Sequence, residues 1–317
     1  MKRVLSHSVN EFCYFREACN STSMIPDILV SEIERVVNIN QDGDHKAGRA
    51  RPLGGGSIND ACMIEVGHVP YFIKWNSRSR YPGMFEAEAH GLQLLTSTKT
   101  LRIPQLMAVG SCGNYSYLLL EYIHSGRPAA AGWDEFGRKL AALHRNTNSF
   151  FGLDRNNYIG SLPQHNMPQH DSWPAFFVQC RLLPQLQMAV RNGLINSSMQ
   201  RQFEHLFNRM DTLFPKEPPS LLHGDLWSGN YLFSAGGEAC LIDPAVYYGH
   251  REMDLAMSLL FGGFDQRFYQ AYHEAWPLEP GWRERVNLCN LYPLMVHVNL
   301  FGGAYLSQVR SSLNRFA

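Results

Sequence analysis

Apolar residues recur at two different spacings along this chain, and the change of spacing predicts two structural regions. Before residue 125, short apolar runs such as Val69–Trp75 and Tyr115–Ile123 are separated by turns that contain glycine or asparagine. Apolar runs of this length, bounded by turn residues, are typical of β-strands. After residue 125, apolar residues recur every three or four positions, as over residues 133–144. This spacing predicts long helices.

The expected fold class is therefore α+β with two lobes. Residues 25–124 are predicted to form a smaller lobe with a leading helix, an antiparallel sheet and a second helix that opens at Pro82-Gly83. Residues 125–317 are predicted to be mainly helical, with helices around 172–192, 196–214, 251–261, 265–276 and 282–312 and a hairpin near 231–242. Residues 1–24 are expected to be an extension, either a short amphipathic helix or a poorly ordered segment upstream of a start at Met24.

Composition narrows the class of protein. The 317 residues are 45% hydrophobic, which is enough for one large or two medium cores. Lys plus Arg equals Asp plus Glu at 28 each, so neither a nucleic-acid partner nor a membrane surface is expected. No apolar stretch approaches the length of about 18 residues that a membrane span needs. The seven dispersed cysteines include no C-x-x-C pair, which favours a reducing, cytoplasmic compartment and argues against structural zinc.

The strongest chemical signal lies in the second region. His223-Gly-Asp225 is followed by Asn230 and then by Asp243, and each group stands beside an apolar run. In kinase-like enzymes one Asp orients and deprotonates the acceptor hydroxyl, while an Asn and a second Asp hold Mg²⁺ on the nucleotide phosphates. Asp225 is therefore the candidate catalytic base, and Asn230 and Asp243 are the candidate magnesium ligands. The alternative interpretation of this segment is that the two aspartates lie in two unrelated turns. His223 and Asp254 are interpreted as structural residues.

Candidate nucleotide-binding residues occur in order along the first region. A glycine segment lies between two predicted strands, where backbone N–H groups can approach phosphate closely, although no Walker motif is present. Lys74 on the third strand would contact the phosphates and pair with a helix glutamate, for which Glu88 is preferred to the first-turn Glu86. Backbone atoms where the lobe ends would bind adenine. The ATP-binding candidates are Gly54, Gly55, Gly56, Ser57, Lys74, Glu88, Glu121 and Ile123.

The acceptor side is suggested by aromatic and charged residues near the two aspartates. Trp227 stands where protein kinases commonly place a lysine, and an aromatic ring there favours a small acceptor, because Trp packs against sugar C–H faces and cations. A core-filling role for Trp227 is the alternative. The segment after Asp243 adds four acceptor-binding candidates, which are Tyr247, Tyr248, His250 and Arg251.

These segments together resemble the fructosamine (ketosamine) kinase family, within the aminoglycoside and choline phosphotransferase-like kinases. The resemblance runs from about residue 25 to the C-terminus. It implies a protein-kinase-like fold, ATP and Mg²⁺ as cofactors, and phosphorylation of the sugar 3-hydroxyl of a ketosamine formed by glycation. The phosphorylated adduct then falls apart, so the enzyme would repair glycated amines. The matching text is Gly54–Asn59, Phe72–Lys74, Met84–Glu88, Gly137–His144, His223–Asn230 and Ile242–Glu252.

The acceptor itself stays open on sequence alone. An aminoglycoside- or choline-type phosphotransferase is the alternative on the same fold, and a non-catalytic nucleotide-binding pseudokinase is the alternative of another class. Free and protein-bound glycated amines are both compatible with the sequence, as is any oligomeric state. Some relatives carry a cysteine inside the glycine segment that crosslinks two subunits, whereas this chain has Ser57-Ile58-Asn59 there and its nearest thiol at Cys62. Redox control by that route is therefore in doubt.

Overall fold

The smaller lobe is a five-stranded antiparallel sheet held between two helices, as seen in a computed structural model that describes residues 25–41, 43–54 and 58–316. The strand order is β1-β2-β3-β5-β4. The predictions for residues 1–24 lie outside the described residues. The elements of this lobe are α1 (Asp27–Gln41), β1 (Ala47–Pro52), β2 (Asp60–Val66), β3 (Val69–Ser77), α2 (Met84–Ser97), β4 (Leu106–Cys112) and β5 (Tyr115–Glu121).

Alternating side chains on the central strands explain why both faces of this sheet are covered. On β5, Leu119 packs with α1 on one face, while Leu118 and Leu120 pack with α2 on the other. Because successive strand residues point to opposite faces, an almost continuous apolar run buries both sides. The buried sheet gives Lys74, in the middle of β3, a fixed place in the interior.

The larger lobe is mainly helical, with short two-stranded sheets between the helices. A π-helical stretch over Phe177–Leu182 joins α4 to α5. The elements are α3 (Gly132–His144), β6 (Asn157–Ile159), β7 (Leu162–Gln164), α4 (Trp173–Phe176), α5 (Leu183–Arg191), α6 (Ser197–Phe207), β8 (Ser220–Leu222), β9 (Tyr231–Phe233), β10 (Ala239–Leu241), β11 (Tyr247–Gly249), α7 (Glu252–Leu259), α8 (Gln266–Ala275), α9 (Trp282–Cys289), α10 (Leu291–Phe301) and α11 (Leu306–Phe316).

The predicted helices are present, but two details differ from the sequence-based picture. The stretch expected as one helix over 282–312 is three helices, and α10 ends at Gly302, whose φ of 83° is a left-handed conformation that suits glycine. Two strand pairs were not predicted: β6 with β7, and β8 with β11. Each of these strands has three residues, which is too short for a periodic pattern to be visible.

The chain passes from the smaller to the larger lobe along the β9–β10 hairpin. Gly126 donates its backbone N–H to Phe233 O at 2.7 Å, and Ser125 forms a bridge with Ser234. A Cβ on Gly126 would lie 2.5 Å from Ser234 O, so glycine permits this close approach. The connection is therefore fixed against the hairpin that separates Asn230 from Asp243. No helix in the described ranges has both the length and the apolarity to span a bilayer.

The crossing of α3 and α8 gives a test of the packing. A Cβ on Gly137 would lie 2.2 Å from Phe268 O and 3.0 Å from Tyr272 N. Because these are backbone atoms, no rotamer change relieves the clash. Overpacking of up to about 3 kcal/mol exceeds the helix-propensity gain of about 1 kcal/mol from Ala. Gly137→Ala should therefore lower the free energy of unfolding by about 2 kcal/mol in chemical denaturation.

The matched control for this substitution is Gly48→Ala on β1. A Cβ there has its nearest neighbour, Glu65 O, at 3.9 Å, so this variant should unfold like the parent protein. Equal stability of the Gly137→Ala and Gly48→Ala variants would contradict the proposed tight crossing.

Candidate active site

A buried carboxylate on α7 shapes the loop that follows β8. Asp254 accepts backbone N–H groups from His223 at 2.7 Å and from Gly224 at 2.9 Å, and its Oδ2 lies 3.2 Å from His144 Nε2. Gly224 has a φ of 83°, and a Cβ there would lie 2.1 Å from Ala245 O, so glycine is required between the His and the Asp. Asp254 thus has the structural place that the sequence suggested.

His223 ties this loop to the segment that carries Asp243. Its Nε2 donates to Ile242 O at 2.9 Å, and its Nδ1 accepts from the backbone N–H of Asp225 at 3.3 Å. One donated and one accepted bond define a single neutral tautomer. Burial lowers the pKa of His223, which keeps this tautomer in place. His223 is therefore a structural link between Asp225 and Asp243.

Asp225 and Asn230 contact each other directly across the loop. Asn230 Nδ2 donates to Asp225 O at 2.8 Å and to Asp225 Oδ2 at 2.7 Å. Burial raises the pKa of Asp225 to about 7, although the bond from Asn230 acts in the opposite direction. A carboxylate whose pKa lies near neutrality is well matched to accepting a proton from a hydroxyl. Because the Asn230 amide nitrogen is engaged, its Oδ1 is the atom left for a cation.

Lys74 links the smaller lobe to this loop region. Its Nζ lies 2.6 Å from Glu88 Oε1 on α2 and 2.8 Å from Asp243 Oδ1, whereas Glu86 is exposed. Burial disfavours the charged form of Lys74, but the two carboxylates outweigh this effect, and the pKa of Lys74 is raised. Burial likewise opposes the charge on Asp243, but Lys74 outweighs it, and the pKa of Asp243 is lowered. Lys74 and Asp243 therefore form a charged pair.

Two cavities open on either side of these groups. The hinge cavity, of about 380 Å³, lies beside the lobe connection and is lined by Gly54, Phe72, Glu121 and Ile123 among others. The hairpin cavity, of about 220 Å³, lies between α2, the β6–β7 hairpin and α10. Asp225 and Glu88 line the hairpin cavity. Among the described residues, five line both cavities, and they are Asn59, Lys74, Trp227, Asn230 and Asp243.

Comparison with proteins of similar sequence identifies the family. A family model described as fructosamine kinase matches residues 29–317, which is most of the chain. The chain belongs to the fructosamine kinase family. A probable ketoamine kinase of Synechocystis is 42% identical over 267 residues, covering 84% of this chain and 89% of that protein. The chloroplastic protein-ribulosamine 3-kinase of Arabidopsis thaliana is 38% identical over 269 residues, covering 83% and 81% of the two chains.

Solved structures agree with this family assignment. A structure from Thermobifida fusca, assigned as a fructosamine-3-kinase, superposes with a TM-score of 0.80 at 32% identity and covers 90% of this chain and 97% of its own. Aminoglycoside phosphotransferase APH(4)-Ia superposes with a TM-score of 0.59 at 15% identity and covers 90% and 99% of the two chains, which shows a shared fold. The predicted family, the two-lobed kinase-like fold class and the prediction of a phosphotransferase are confirmed.

In this fructosamine kinase family member, the predicted nucleotide residues that the structure describes lie at the hinge cavity or at its border. Gly54, Lys74, Glu121 and Ile123 line it, and Glu88 reaches it through Lys74. The Glu121 carboxylate accepts from Arg102 Nη2 at 2.6 Å and from the backbone N–H of Gln105 at 3.3 Å. Because the Glu121 carboxylate is engaged in these bonds, the backbone atoms of Glu121 are the ones available to contact a ligand. Gly55, Gly56 and Ser57 lie outside the described residues.

Four predicted acceptor residues are wrong, because Tyr247, Tyr248, His250 and Arg251 line neither cavity. Residues 247–249 form β11, whose pairing with β8 directs them into the core. Tyr247 is buried under the guanidinium of Arg181, 3.9 Å from its ring centroid. Tyr248 is half-buried and packs against the core of the larger lobe. His250 lies between aromatic rings, and Arg251 forms a bidentate ion pair with the buried Glu217 at 2.8 Å.

The hairpin cavity instead is lined by residues that the sequence did not reveal. Asn157 and Tyr158 come from the β6–β7 hairpin, and His297 and Phe301 come from α10. The Gly160-Ser161 pair between short apolar stretches is a hairpin signal that would have located the first two. An apolar helix such as α10 gives no such signal, because its cavity-lining and core-facing residues look alike in sequence. Trp227 is the predicted acceptor residue that does line the cavity.

The oxygen ligands at the junction of the cavities fit a nucleotide-bound Mg²⁺. Asn230 and Asp243 both line the two cavities, and Mg²⁺ is commonly bound through one or two protein oxygens together with substrate phosphates and water. Within the described ranges, no group of three or more His, Cys, Asp and Glu side chains could hold a metal alone. Protein residues by themselves therefore make a partial site, which phosphate oxygens would complete.

The structural role of Arg251 can be tested through its partner Glu217. Burial would raise the pKa of Glu217, but the bond from Arg251 and the nearby positive charges together outweigh this effect and lower it. Removing one member of a buried pair costs about 3 kcal/mol, so Glu217→Gln should lower the free energy of unfolding at pH 7 by about that amount. The pKa of Glu217 is lower in the folded protein than in the unfolded chain, where it has the ordinary Glu value of about 4.3. The stabilisation by the ion pair is therefore fully present above about pH 4.3 and is lost as the pH falls through the lower pKa of the folded protein.

Chemical denaturation of the parent and Glu217→Gln proteins between pH 7 and pH 3.5 should therefore show a stability difference that narrows with acid. Glu274→Gln is the control, because Glu274 is 70% exposed and lies 4.0 Å from Arg138, so a change below about 0.5 kcal/mol is expected. If the Glu217→Gln variant were as stable as this control, the ion pair of Arg251 with Glu217 would not contribute to stability, which would contradict the structural role of Arg251.

Proposed function

We propose that this member of the fructosamine kinase family transfers phosphate from ATP to the sugar 3-hydroxyl of ketoamines, and that this reaction initiates removal of the sugar from glycated amines. The observation that supports the proposal is the junction of the two cavities. Lys74, Asn230 and Asp243 face both, and Asp225 stands on the hairpin side. A phosphate donor in one cavity and an alcohol in the other would meet at these residues.

The hinge cavity fits the nucleotide. Backbone atoms at Glu121 and Ile123 would bind the adenine edge, and Lys74 would contact the phosphates while Glu88 holds its ammonium in place. Asn230 and Asp243 would hold Mg²⁺, which neutralises phosphate charge when it is bound. The protein contribution is then mainly positioning and electrostatic stabilisation, which suits phosphoryl transfer.

The hairpin cavity fits a sugar amine. Asp225 would orient the acceptor hydroxyl and take its proton as the bond to phosphorus forms. Trp227, His297 and Phe301 offer aromatic surfaces, which pack against sugar C–H faces and attract a protonated amine. Tyr158 is held in the wall by donating from its hydroxyl to Pro82 O at 2.9 Å. This combination of one carboxylate and several rings favours a small carbohydrate acceptor.

The position of transfer and the biological role follow from the relatives and from sugar chemistry. The relatives named ketoamine kinase and protein-ribulosamine 3-kinase support a ketoamine acceptor and its 3-hydroxyl. Phosphate is a better leaving group than hydroxide on the carbon next to the ketone, so the phosphorylated adduct falls apart and releases the amine. The five cysteines within the described residues are free, which supports the cytoplasmic placement that belongs to this proposal.

The choice of acceptor is tested with a panel of compounds. Fructosyl-lysine, ribulosyl-lysine, an aminoglycoside and choline are each incubated with the full chain, ATP and Mg²⁺, and the products are weighed by mass spectrometry. Phosphate should appear on one or both ketoamines and not on the other two acceptors. Transfer confined to the aminoglycoside or to choline would contradict the ketoamine assignment, and tight ATP binding without any transfer would indicate a pseudokinase.

The role of Asp225 is tested by Asp225→Ala. Loss of a positioned base should lower kcat about 10²- to 10⁴-fold, while ATP affinity by calorimetry stays close to that of the parent protein. Asp211→Ala, at an exposed position, is the matched control and should retain full activity. A kcat of Asp225→Ala close to that of the control would exclude Asp225 as the base.

A further inference from the structure

Asn59 is the residue at the junction of the two cavities that has no role so far. It lines both cavities together with Lys74, Trp227, Asn230 and Asp243, and each of those four has a proposed contact to phosphate, metal or acceptor. Asn59 directly precedes β2. A side chain in this position faces the path along which the phosphoryl group would travel.

A buried asparagine on the neighbouring strand fixes the orientation of Asn59. Asn76 Nδ2 donates to Asn59 Oδ1 at 2.9 Å and also contacts Met84 Sδ at 3.2 Å. Asn76 is only 6% exposed, so its own position is set by packing. Because the oxygen of the Asn59 amide is engaged, its Nδ2, which carries two N–H donors, is the end that is left for a ligand. No hydrogen bond from this nitrogen to a described residue is present.

The residue before Asn59 lies close to the β6–β7 hairpin. A Cβ on Gly160, in the turn of that hairpin, would lie 3.4 Å from Ile58 Cδ1. Ile58 and Gly160 both line the hairpin cavity. The segment that carries Asn59 therefore runs beside this cavity, while Asn76 holds the Asn59 side chain.

The charged residues near Asn59 favour a hydrogen-bond donor without a charge at this position. Glu88, Asp225 and Asp243 line the hairpin cavity with Lys74, so carboxylates outnumber the lysine there. In the transition state of phosphoryl transfer, negative charge is spread over three equatorial oxygens. A donor held in advance at the place where this charge develops stabilises it without reorganisation. An amide N–H can do so without forming an ion pair with the nearby carboxylates.

We propose that Asn59 is a further catalytic residue, which donates from Nδ2 to an oxygen of the phosphoryl group in transit, and that Asn76 is the positioning residue that orients it. This proposal rests on the proposed function, because it requires transfer between the two cavities. It gives Asn59 a contact that forms in the transition state and not in the complex with ATP alone.

The first test measures kcat, the KM for ATP and the KM for a ketoamine in Asn59→Ala and Asn59→Asp. Loss of one preorganised donor should lower kcat about 10²-fold, with the KM for ATP changed less than about threefold, because the contact forms in the transition state. Asn59→Asp keeps the size but replaces the donor with a negative charge, so its kcat should fall at least as far. Asn314→Ala, on exposed α11 surface, is the control and should match the parent protein.

The second test measures ligand affinity instead of the rate of turnover. Affinities for ATP, and for ADP with aluminium fluoride as a planar mimic of the phosphoryl group in transit, are measured by calorimetry with Mg²⁺. Asn59→Ala should bind ATP normally and lose most of the extra affinity for the mimic. Asn76→Ala should show the same pattern more weakly, with kcat lowered about tenfold. Thermal unfolding of each variant checks that the fold is retained.

Several outcomes would overturn the assignment. A higher KM for ATP with kcat unchanged in Asn59→Ala would make Asn59 a nucleotide-binding residue only, and equal loss of affinity for ATP and for the mimic would indicate the same. Failure of the parent protein to phosphorylate any ketoamine would contradict the proposed function, whereas the mimic-binding test still decides the role of Asn59. A lowered kcat in the Asn314→Ala control would show that the effect is not specific to Asn59.

Discussion

The contacts of the buried Lys74 ammonium with Glu88 and Asp243 are the interaction on which the candidate site depends. It joins three parts of the chain, namely the middle of β3, the first half of α2 and the segment that follows β10, through distances of 2.6 and 2.8 Å. A buried cation without partners would be strongly unfavourable, so the two carboxylates must stay close to it. Because Asp243 belongs to the larger lobe, its contact with this ammonium links the smaller lobe to the segment that follows β10.

Within the larger lobe, a second set of contacts fixes the reacting groups relative to each other. Asp254 accepts from the backbone N–H groups of His223 and Gly224, at the start of the loop that follows β8, and His223 donates to Ile242 O. Hydrogen bonds between side chains and the backbone, largely shielded from water, thereby place Asp225 and Asp243. Rigid support of this kind suits a reaction in which the protein mainly positions groups and stabilises charge. The candidate site is rich in carboxylates, which the proposed Mg²⁺ and neutral hydrogen-bond donors would balance.

The sequence predicted the parts of the site that depend on local pattern. The order of elements in kinases predicted a pair between Lys74 and a glutamate of the next helix, and helical periodicity favoured Glu88 over Glu86. Asp225 and Asn230 lie within one loop, where their spacing is visible in the sequence. The environment of Tyr247 was not predicted because it depends on the pairing of β11 with β8, two strands that are separated in the chain by a loop and the β9–β10 hairpin. The environment of Arg251 was not predicted because its partner Glu217 is distant in sequence. The positions of His297 and Phe301 in the hairpin cavity could not be predicted for a related reason. Tertiary contacts bring α10 to this cavity, and the local spacing of residues does not indicate such contacts.

The central claim is that phosphate passes at the junction of the two cavities from ATP to one hydroxyl of a ketoamine. The most direct test is ³¹P and ¹H nuclear magnetic resonance of the full chain with Mg²⁺, ATP and fructosyl-lysine, followed in real time. We expect ADP and a sugar phosphomonoester to form at equal initial rates, and the new phosphorus signal to couple to the proton on carbon 3. Formation of ADP and inorganic phosphate while the fructosyl-lysine signals stay unchanged, or coupling to a proton on another carbon, would contradict the claim.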